Sequence, residues 1–328
     1  MRAVFITAHG GPEVLQLREA PDPTPGPGQL CVKVDAFALN RADLLQRRGL
    51  YPAPEGTRQD IPGLEYAGVV ESLGPGVTER APGDRVMGLV PGAACAERVV
   101  VHARETISVP DHLSLTDAAA IPEAFITAWD AIHLQAGLAS GDDLLIHAVA
   151  SGVGTAALQL ARLLGARTLG TSRSPEKLAR AADLGLDLGI DASSGDFLAA
   201  VREATAGRGV DVVLDMIGGP YLDQNLKALA PGGTLITIGL MGGAAAPLNF
   251  GLLLTRRLRV VGTTLRARPL EEKIALARLF ERRLYPAFTQ GGPLAPVVGA
   301  LMPADQIVEA HRLMESGDTF GKIVLRWT

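Results

Sequence analysis

Cysteine is scarce in this sequence of 328 residues: there are two, Cys31 and Cys95, and no C-x-x-C pair. That excludes a disulfide framework and suits a reducing compartment. Aromatic residues make up only 4% of the chain, so no aromatic platform for nucleic acid is built into it. No run of about 18 apolar residues occurs, so no membrane-spanning helix is expected. The N-terminal Met1-Arg2-Ala3-Val4-Phe5 lacks the apolar core of a signal peptide, and the expected location is cytoplasmic. An excess of one charge is missing too: 31 basic and 35 acidic residues leave a net charge of −4, which gives no reason to expect a nucleic acid or membrane partner. Hydrophobic residues, by contrast, make up 47% and charged residues 20%, the balance of a folded protein. The length exceeds what one core usually serves, so about two domains are expected.

Residues 1 to about 122 are rich in strand and turn signals. The stretch 29–36 alternates as a strand does, the Pro- and Gly-rich run 21–28 reads as a stiff loop, and Pro62-Gly63 and Pro82-Gly83 each open a turn leading into a strand. A small β-rich, barrel-like domain is expected there. After about residue 123 the rhythm changes. Strand-like runs at 144–148, 168–171, 210–216, 234–238 and 260–265 alternate with helical patterns near 153–164, 175–184, 196–205 and 220–229. Such alternation implies a parallel sheet covered on both faces. Helical stretches at 270–284 and 304–315, then a strand at 321–325, read as a return to the first domain. The expected domains are therefore 1–123 with 266–328, and 124–265.

Small residues gather where the parallel strands end: Ser151-Gly152-Val153-Gly154, Ser172-Arg173-Ser174, Gly218-Gly219 and Gly239-Leu240-Met241-Gly242-Gly243. In an open α/β sheet ligands lie along that edge, and a long flat ligand needs bare backbone to approach. Strand ends also need turns, and turns use glycine, so one such corner alone says little. The run Val149-Ala150-Ser151-Gly152-Val153-Gly154 does not carry the G-x-G-x-x-G fingerprint. Where an NAD site places Asp or Glu for the ribose 2′-hydroxyl, this chain has Ser172, followed by Arg173 and, one helical turn on, Lys177. Two cations and no acid suit the 2′-phosphate of NADPH. Ser174-Pro175-Glu176 also reads as the N-cap, N1 and first turn of a helix, which accounts for Ser174 and Pro175 but not for Arg173.

These stretches, together with Ala38-Leu39-Asn40-Arg41-Ala42-Asp43-Leu44, Arg48-Gly49-Leu50-Tyr51, Ala118-Ala119-Ala120-Ile121-Pro122-Glu123-Ala124 and Gly321-Lys322-Ile323-Val324-Leu325, carry a resemblance. Over nearly all its length the chain resembles the medium-chain dehydrogenase/reductase superfamily, in its zinc-free NADPH:quinone oxidoreductase (zeta-crystallin-like) branch. Within that branch it is similar to the subgroup that includes the tumour-suppressor-induced quinone reductase. The resemblance implies an α/β fold class, with a GroES-like β-rich barrel domain plus a Rossmann-like doubly wound parallel sheet domain, and a homodimer. It implies that Asn40, Tyr51 and Thr127 face the nicotinamide end of NADPH. It implies further that Ser151, Gly152, Val153, Gly154, Ser172, Arg173, Lys177, Gly239, Leu240, Met241, Gly242, Leu265 and Lys322 bind the cofactor. Tyr51 also reads as a packing tyrosine, and Lys322 as a surface charge on an edge strand. Two departures stand out: Ala192 and Leu45 occupy places where the branch carries tyrosines, one on the adenine and one near the nicotinamide.

The zinc dehydrogenases of this superfamily surround the metal with Cys, His and Cys or an acid. Here the first place falls within Arg41-Ala42-Asp43, the second is Leu64, and the third falls near Glu123, so no metal is expected. His9, His102, His112, His133, His147 and His311 show no H-x₃-H spacing and read as packing or surface residues. Hydride transfer needs an acceptor about 3–3.5 Å from the nicotinamide and water excluded. A quinone takes hydride without a metal and collects its proton from solvent, with Tyr51 donating a hydrogen bond to the developing oxygen. The expected function is NADPH-dependent reduction of a quinone or another small electron-poor acceptor. Two other readings stay open: a reductase of α,β-unsaturated carbonyls, and a non-enzymatic dinucleotide-binding protein. The run 258–265 would form the last strand of the parallel sheet, an apolar edge that a second copy would cover across a two-fold axis.

Overall fold

The ten residues Gln29–Ala38 form the strand on which the first unit is built. Only Lys33 among them is exposed, because sheet partners lie on both sides of the strand. In the computed structural model, which describes all 328 residues, this unit comprises Met1–Ile126 and Leu265–Thr328. Its sheet runs in the order Val298–Pro303, Lys322–Arg326, Gln29–Ala38, Glu65–Leu73, Arg85–Leu89 and Ile107–Ser108, and Arg98–His102 also pairs with Gln29–Ala38. Every pairing is antiparallel except that of Val298–Pro303 with Lys322–Arg326. Irregular register between Cys31 and Val32, and again between Val34 and Ala36, bends the central strand, as bulges do. At the second bend a Cβ on Gly68 would lie 2.2 Å from the Lys33 carbonyl oxygen, so only glycine admits the approach. Leu30, Val32, Phe37, Tyr66, Val86, Val99, Ile323 and Leu325 form the core.

The second unit, Thr127–Thr264, contains six parallel strands. Numbered along the chain they are Asp143–Ile146, Arg167–Ser172, Leu188–Asp191, Val210–Asp215, Leu229–Thr237 and Arg259–Gly262. Their order in the sheet is third, second, first, fourth, fifth, sixth. That is the doubly wound arrangement, whose ligand crevice opens where the order reverses, between the first and fourth strands. All four residues of the first strand are buried, as a strand covered on both faces requires. The helix Gly152–Leu164 starts at a Ser151 N-cap and stops at Gly165, whose φ of 77° ends it in the left-handed conformation.

Several boundaries differ from the sequence pattern. The first strand ends at Ile146 rather than 148, because Ala148 turns away with φ 47°. The fifth begins at Leu229, its start hidden in the sequence by Pro231-Gly232-Gly233. The sixth is Arg259–Gly262, half the length of the run 258–265; it lies at the sheet edge with Val260 45% exposed. The third strand, four residues with a glycine and an aspartate, carries too little periodicity to stand out. The helix Arg41–Arg47 buries Asp43, Gln46 and Arg47 beside Leu44, which removes the apolar stripe that would have announced it. No helix is long and apolar enough to cross a membrane.

Leu145 packs in the middle of the parallel sheet against a cluster containing Leu169, Val213 and Phe197. Leu145→Ala is expected to lower the stability of this unit by about 2–5 kcal/mol. Denaturant unfolding followed by far-UV circular dichroism would read this as a lower midpoint at unchanged slope.

Candidate active site

Bare backbone at the carboxyl edge of the parallel sheet arises from close approaches that side chains would block. A Cβ on Gly154 would sit 2.6 Å from the carbonyl oxygens of both Ala148 and Val149. Ser151 caps the helix behind it: its Oγ accepts from the Gly154 N–H at 3.0 Å and donates to Met216 Sδ at 3.3 Å. The N–H groups of Gly152 and Val153 then remain at the positive end of a thirteen-residue helix, an arrangement suited to phosphate. The loops after the fourth and fifth strands are tied to each other through backbone. Gly218, with φ 87°, bridges to Gly243, and the Gly219 N–H donates to the Gly243 carbonyl at 2.9 Å. Asp215 organises this corner by accepting from the N–H groups of Ile217 (2.7 Å) and Gly218 (3.2 Å), and burial pushes its carboxyl up to about 6. Leu240 and Met241 project from the next loop, 54% and 43% exposed.

At the end of the second strand, Ser172, Arg173 and Lys177 share one turn. Ser172 Oγ accepts from the Ser174 N–H, and Ser174 Oγ accepts from the Lys177 N–H, so Ser174 is the N-cap that the sequence suggests. Arg173 is exposed. Asp191, beside Ser172 in the sheet register, turns its carboxylate to the Ser193 N–H at 2.8 Å. Ala192, in the place of a tyrosine, is buried. Thr127 Oγ1 is buried and finds no hydrogen-bond partner in the chain. His147 is a packing residue: it lies between Thr171 Oγ1 (3.0 Å) and Asn225 Oδ1 (2.7 Å), and burial lowers its pKa to about 4. These groups all belong to the second unit.

Within the first unit a different cluster forms. Lys322 lies on an interior strand, 5% exposed, which rules out a surface charge on an edge strand. Its ammonium meets Glu65 Oε1 at 2.6 Å and donates to Asn40 Oδ1 at 2.6 Å and the Leu39 carbonyl at 2.7 Å. Glu65, fully buried, also accepts from Asn40 Nδ2 (3.0 Å) and, through Oε2, from the Glu123 N–H (2.8 Å). Asn40 caps the helix Arg41–Arg47 in a capping box with Asp43. Asp43 accepts from the N–H groups of Asn40 and Gly63, and burial pushes its carboxyl up to about 6. The Arg266 guanidinium lies 5.1 Å from the centre of the Tyr51 ring and donates to the carbonyls of Pro91 and Tyr51 and to Gln46 Oε1. A small cleft, with room for about one water molecule, is walled by Leu64, Leu89, Val90, Pro91, Glu123, Leu265, Arg266 and Lys273. Leu265 thus faces this cavity.

The superfamily's zinc cannot be held by these donors. Leu64 offers only carbon, both oxygens of Asp43 are occupied by backbone, and no group of three His, Cys, Asp or Glu side chains is arranged to hold a metal ion. Sequence reasoning missed Glu65, Arg266 and Asp215. Gly63-Leu64-Glu65 was informative for its missing histidine, but nothing local marks its glutamate as the partner of a distant lysine.

Comparison with known proteins follows the two units. The zinc-binding dehydrogenase family pattern matches residues 152–281, and the alcohol dehydrogenase GroES-like domain pattern matches residues 26–111. A solved NAD-dependent alcohol dehydrogenase superposes with a TM-score of 0.86 at 34% identity, covering 99% of each chain. A mycobacterial protein solved in complex with NADPH gives 0.89 at 31%, covering 99% of this chain and 100% of that one. A quinone oxidoreductase of Pseudomonas syringae gives 0.88 at 30%, covering 99% of both. The enoyl reductase JamJ gives 0.90 at 27%, covering 100% of this chain and 99% of the other. Among curated proteins, phthioceranic/hydroxyphthioceranic acid synthase of Mycobacterium tuberculosis is 36% identical over 203 residues, 62% of this chain. The match spans only 10% of that synthase.

Removing the cation from the buried pair leaves Glu65 without compensation. Lys322→Met is expected to cost about 3–5 kcal/mol of stability, and adding Glu65→Gln should recover much of the loss. Urea titrations of the two single variants and the double variant measure the coupling.

Proposed function

The chain belongs to the medium-chain dehydrogenase/reductase superfamily, and from that membership we propose that it reduces quinones with NADPH, without a metal. One observation carries the reading. The chain has a bare-backbone sheet edge suited to a dinucleotide, and of the places where the resemblance puts zinc ligands, within Arg41-Ala42-Asp43, at Leu64 and near Glu123, Leu64 offers no donor atom and the Asp43 carboxyl is bound by backbone N–H groups. Such a site suits an acceptor that needs no Lewis acid, and a quinone is electron-poor enough to take hydride directly. The likeness to the Pseudomonas syringae quinone oxidoreductase supports it.

NADPH supplies the hydride. The chain's residues then have assignable roles. Gly152 and Val153 would receive the pyrophosphate on helix N–H groups, Ser172, Arg173 and Lys177 would bind the 2′-phosphate, and the loop Gly239–Gly242 would contribute further cofactor contacts. Thr127 would face the nicotinamide end, and Leu265 would contact the cofactor. Lys322 has all three N–H groups engaged, so its part is to hold Asn40 and the Leu39 carbonyl in place. Tyr51, anchored under Arg266, donates a hydrogen bond to the acceptor oxygen. A second copy covers the edge strand Arg259–Gly262, giving a homodimer. The second reading is reduction of α,β-unsaturated carbonyls, favoured by the likeness to JamJ.

The deciding experiment measures NADPH consumption with 1,4-benzoquinone, 9,10-phenanthrenequinone and 2-hexenal side by side. Faster turnover of the quinones supports the proposal, while preference for 2-hexenal gives the site to enones. Arg173→Ala is expected to weaken NADPH roughly ten- to a hundredfold and leave NADH nearly unchanged. Fluorescence titration reads this, and equal losses for both cofactors would remove the 2′-phosphate role of Arg173.

A further inference from the structure

The cluster around Glu65 contains more acid than its cations can serve. Three carboxyl groups, Glu65, Asp43 and Glu123, lie with Lys322 and Arg266 close by. The donors are already assigned. Lys322 meets Glu65, Asn40 and the Leu39 carbonyl, and Arg266 donates to Pro91, Tyr51 and Gln46. Lys273, also in the cavity wall, pairs with Glu105 at 3.6 Å. Asp43 is compensated by two backbone N–H groups. Glu123 gives its own N–H to Glu65 and keeps no cation in contact with its carboxyl. Burial first, then the negative charges of Glu65 and Asp43, push the Glu123 carboxyl up to about 8, against the weaker pull of Lys322 and Arg266. Part of its surface nonetheless faces the cavity. A carboxyl in this position holds its proton at neutral pH and offers an O–H donor among Leu64, Val90, Pro91 and Leu265.

We propose that Glu123 is the proton donor to the reduced acceptor, in place of a proton taken directly from water. The inference rests on the reductase reading above. An acceptor that gains a hydride gains two electrons and one negative charge, and it needs one proton to become neutral. The Glu123 O–H bond breaks, a bond from that proton to the acceptor forms, and the electron pair stays on the carboxylate. Beside Glu65 that carboxylate is poorly tolerated, so it recovers its proton from water at the cavity mouth. The neutral form is the donor, so the rate is full below the carboxyl pKa and falls as pH rises through about 8.

Glu123→Gln keeps the shape and a hydrogen-bond donor but has no proton to give. In the cofactor-free protein, infrared spectroscopy of the wild type should show a protonated-carboxyl band at pH 7 that titrates away near pH 8 and is missing from the variant. In turnover, Glu123→Gln should lose about a hundredfold in kcat and lose the pH break, with NADPH affinity retained. Glu123→Asp should restore part of the rate. No such band at pH 7, or a Glu123→Gln variant with wild-type rate and pH profile, overturns the proposal while the reductase reading stands. Wild-type protein that reduces none of the three acceptors brings down the reductase reading and the donor role together.

Discussion

The buried pair of Lys322 and Glu65 is the constraint on which the first unit turns. It joins the strand Lys322–Arg326 to the strand Glu65–Leu73, and through Asn40 and the Glu123 N–H it reaches the starts of the helices Arg41–Arg47 and Pro122–Trp129. A buried pair of this kind gives little net stability against an apolar replacement of equal shape. Its consequence is specificity of arrangement. Both oxygens of Glu65 are held by donors, so the four elements meet in one way. The same matching leaves Glu123 without a cation, and burial beside Glu65 pushes its carboxyl pKa up.

The second unit is organised by the opposite means, by leaving side chains out. Gly154, Gly218 and Gly219 each stand where a Cβ would meet carbonyl oxygen at 2.5–2.6 Å. Asp215 then fixes the loop it precedes by accepting its N–H groups, a role that exposes no charge to solvent. Together these produce a sheet edge of backbone donors and small residues, to which Arg173 adds a charge at one end. The arrangement suits a ligand that is long, anionic and flat.

The substitution at Leu64 bears on the chemistry of the first unit. A scaffold of this superfamily can place a Lewis acid beside the acceptor. Here an aliphatic side chain takes the histidine's place, and the neighbouring Asp43 is spent on the backbone of Asn40 and Gly63. What remains in the wall of the cleft is Glu123, with Arg266 and Lys273 engaged by other partners.

Much of this was legible along the chain, and the limit is physical. Alternating apolar runs and helical periods determined the parallel sheet and its covering helices, because both depend on residues a few positions apart. The caps at Ser151 and Ser174 were readable for the same reason, and that position 64 carries an aliphatic side chain is a matter of residue type alone. Element lengths were less legible: Leu229–Thr237 hides its start behind Pro231-Gly232-Gly233, and Arg41–Arg47 hides its apolar stripe by burying polar side chains. Only the tertiary structure decided what Lys322, Glu65, Arg266 and Glu123 do. Their partners lie far away in sequence, and strand register brings them together. The state of a carboxyl depends on the water removed from around it, and that removal happens only when the chain is packed.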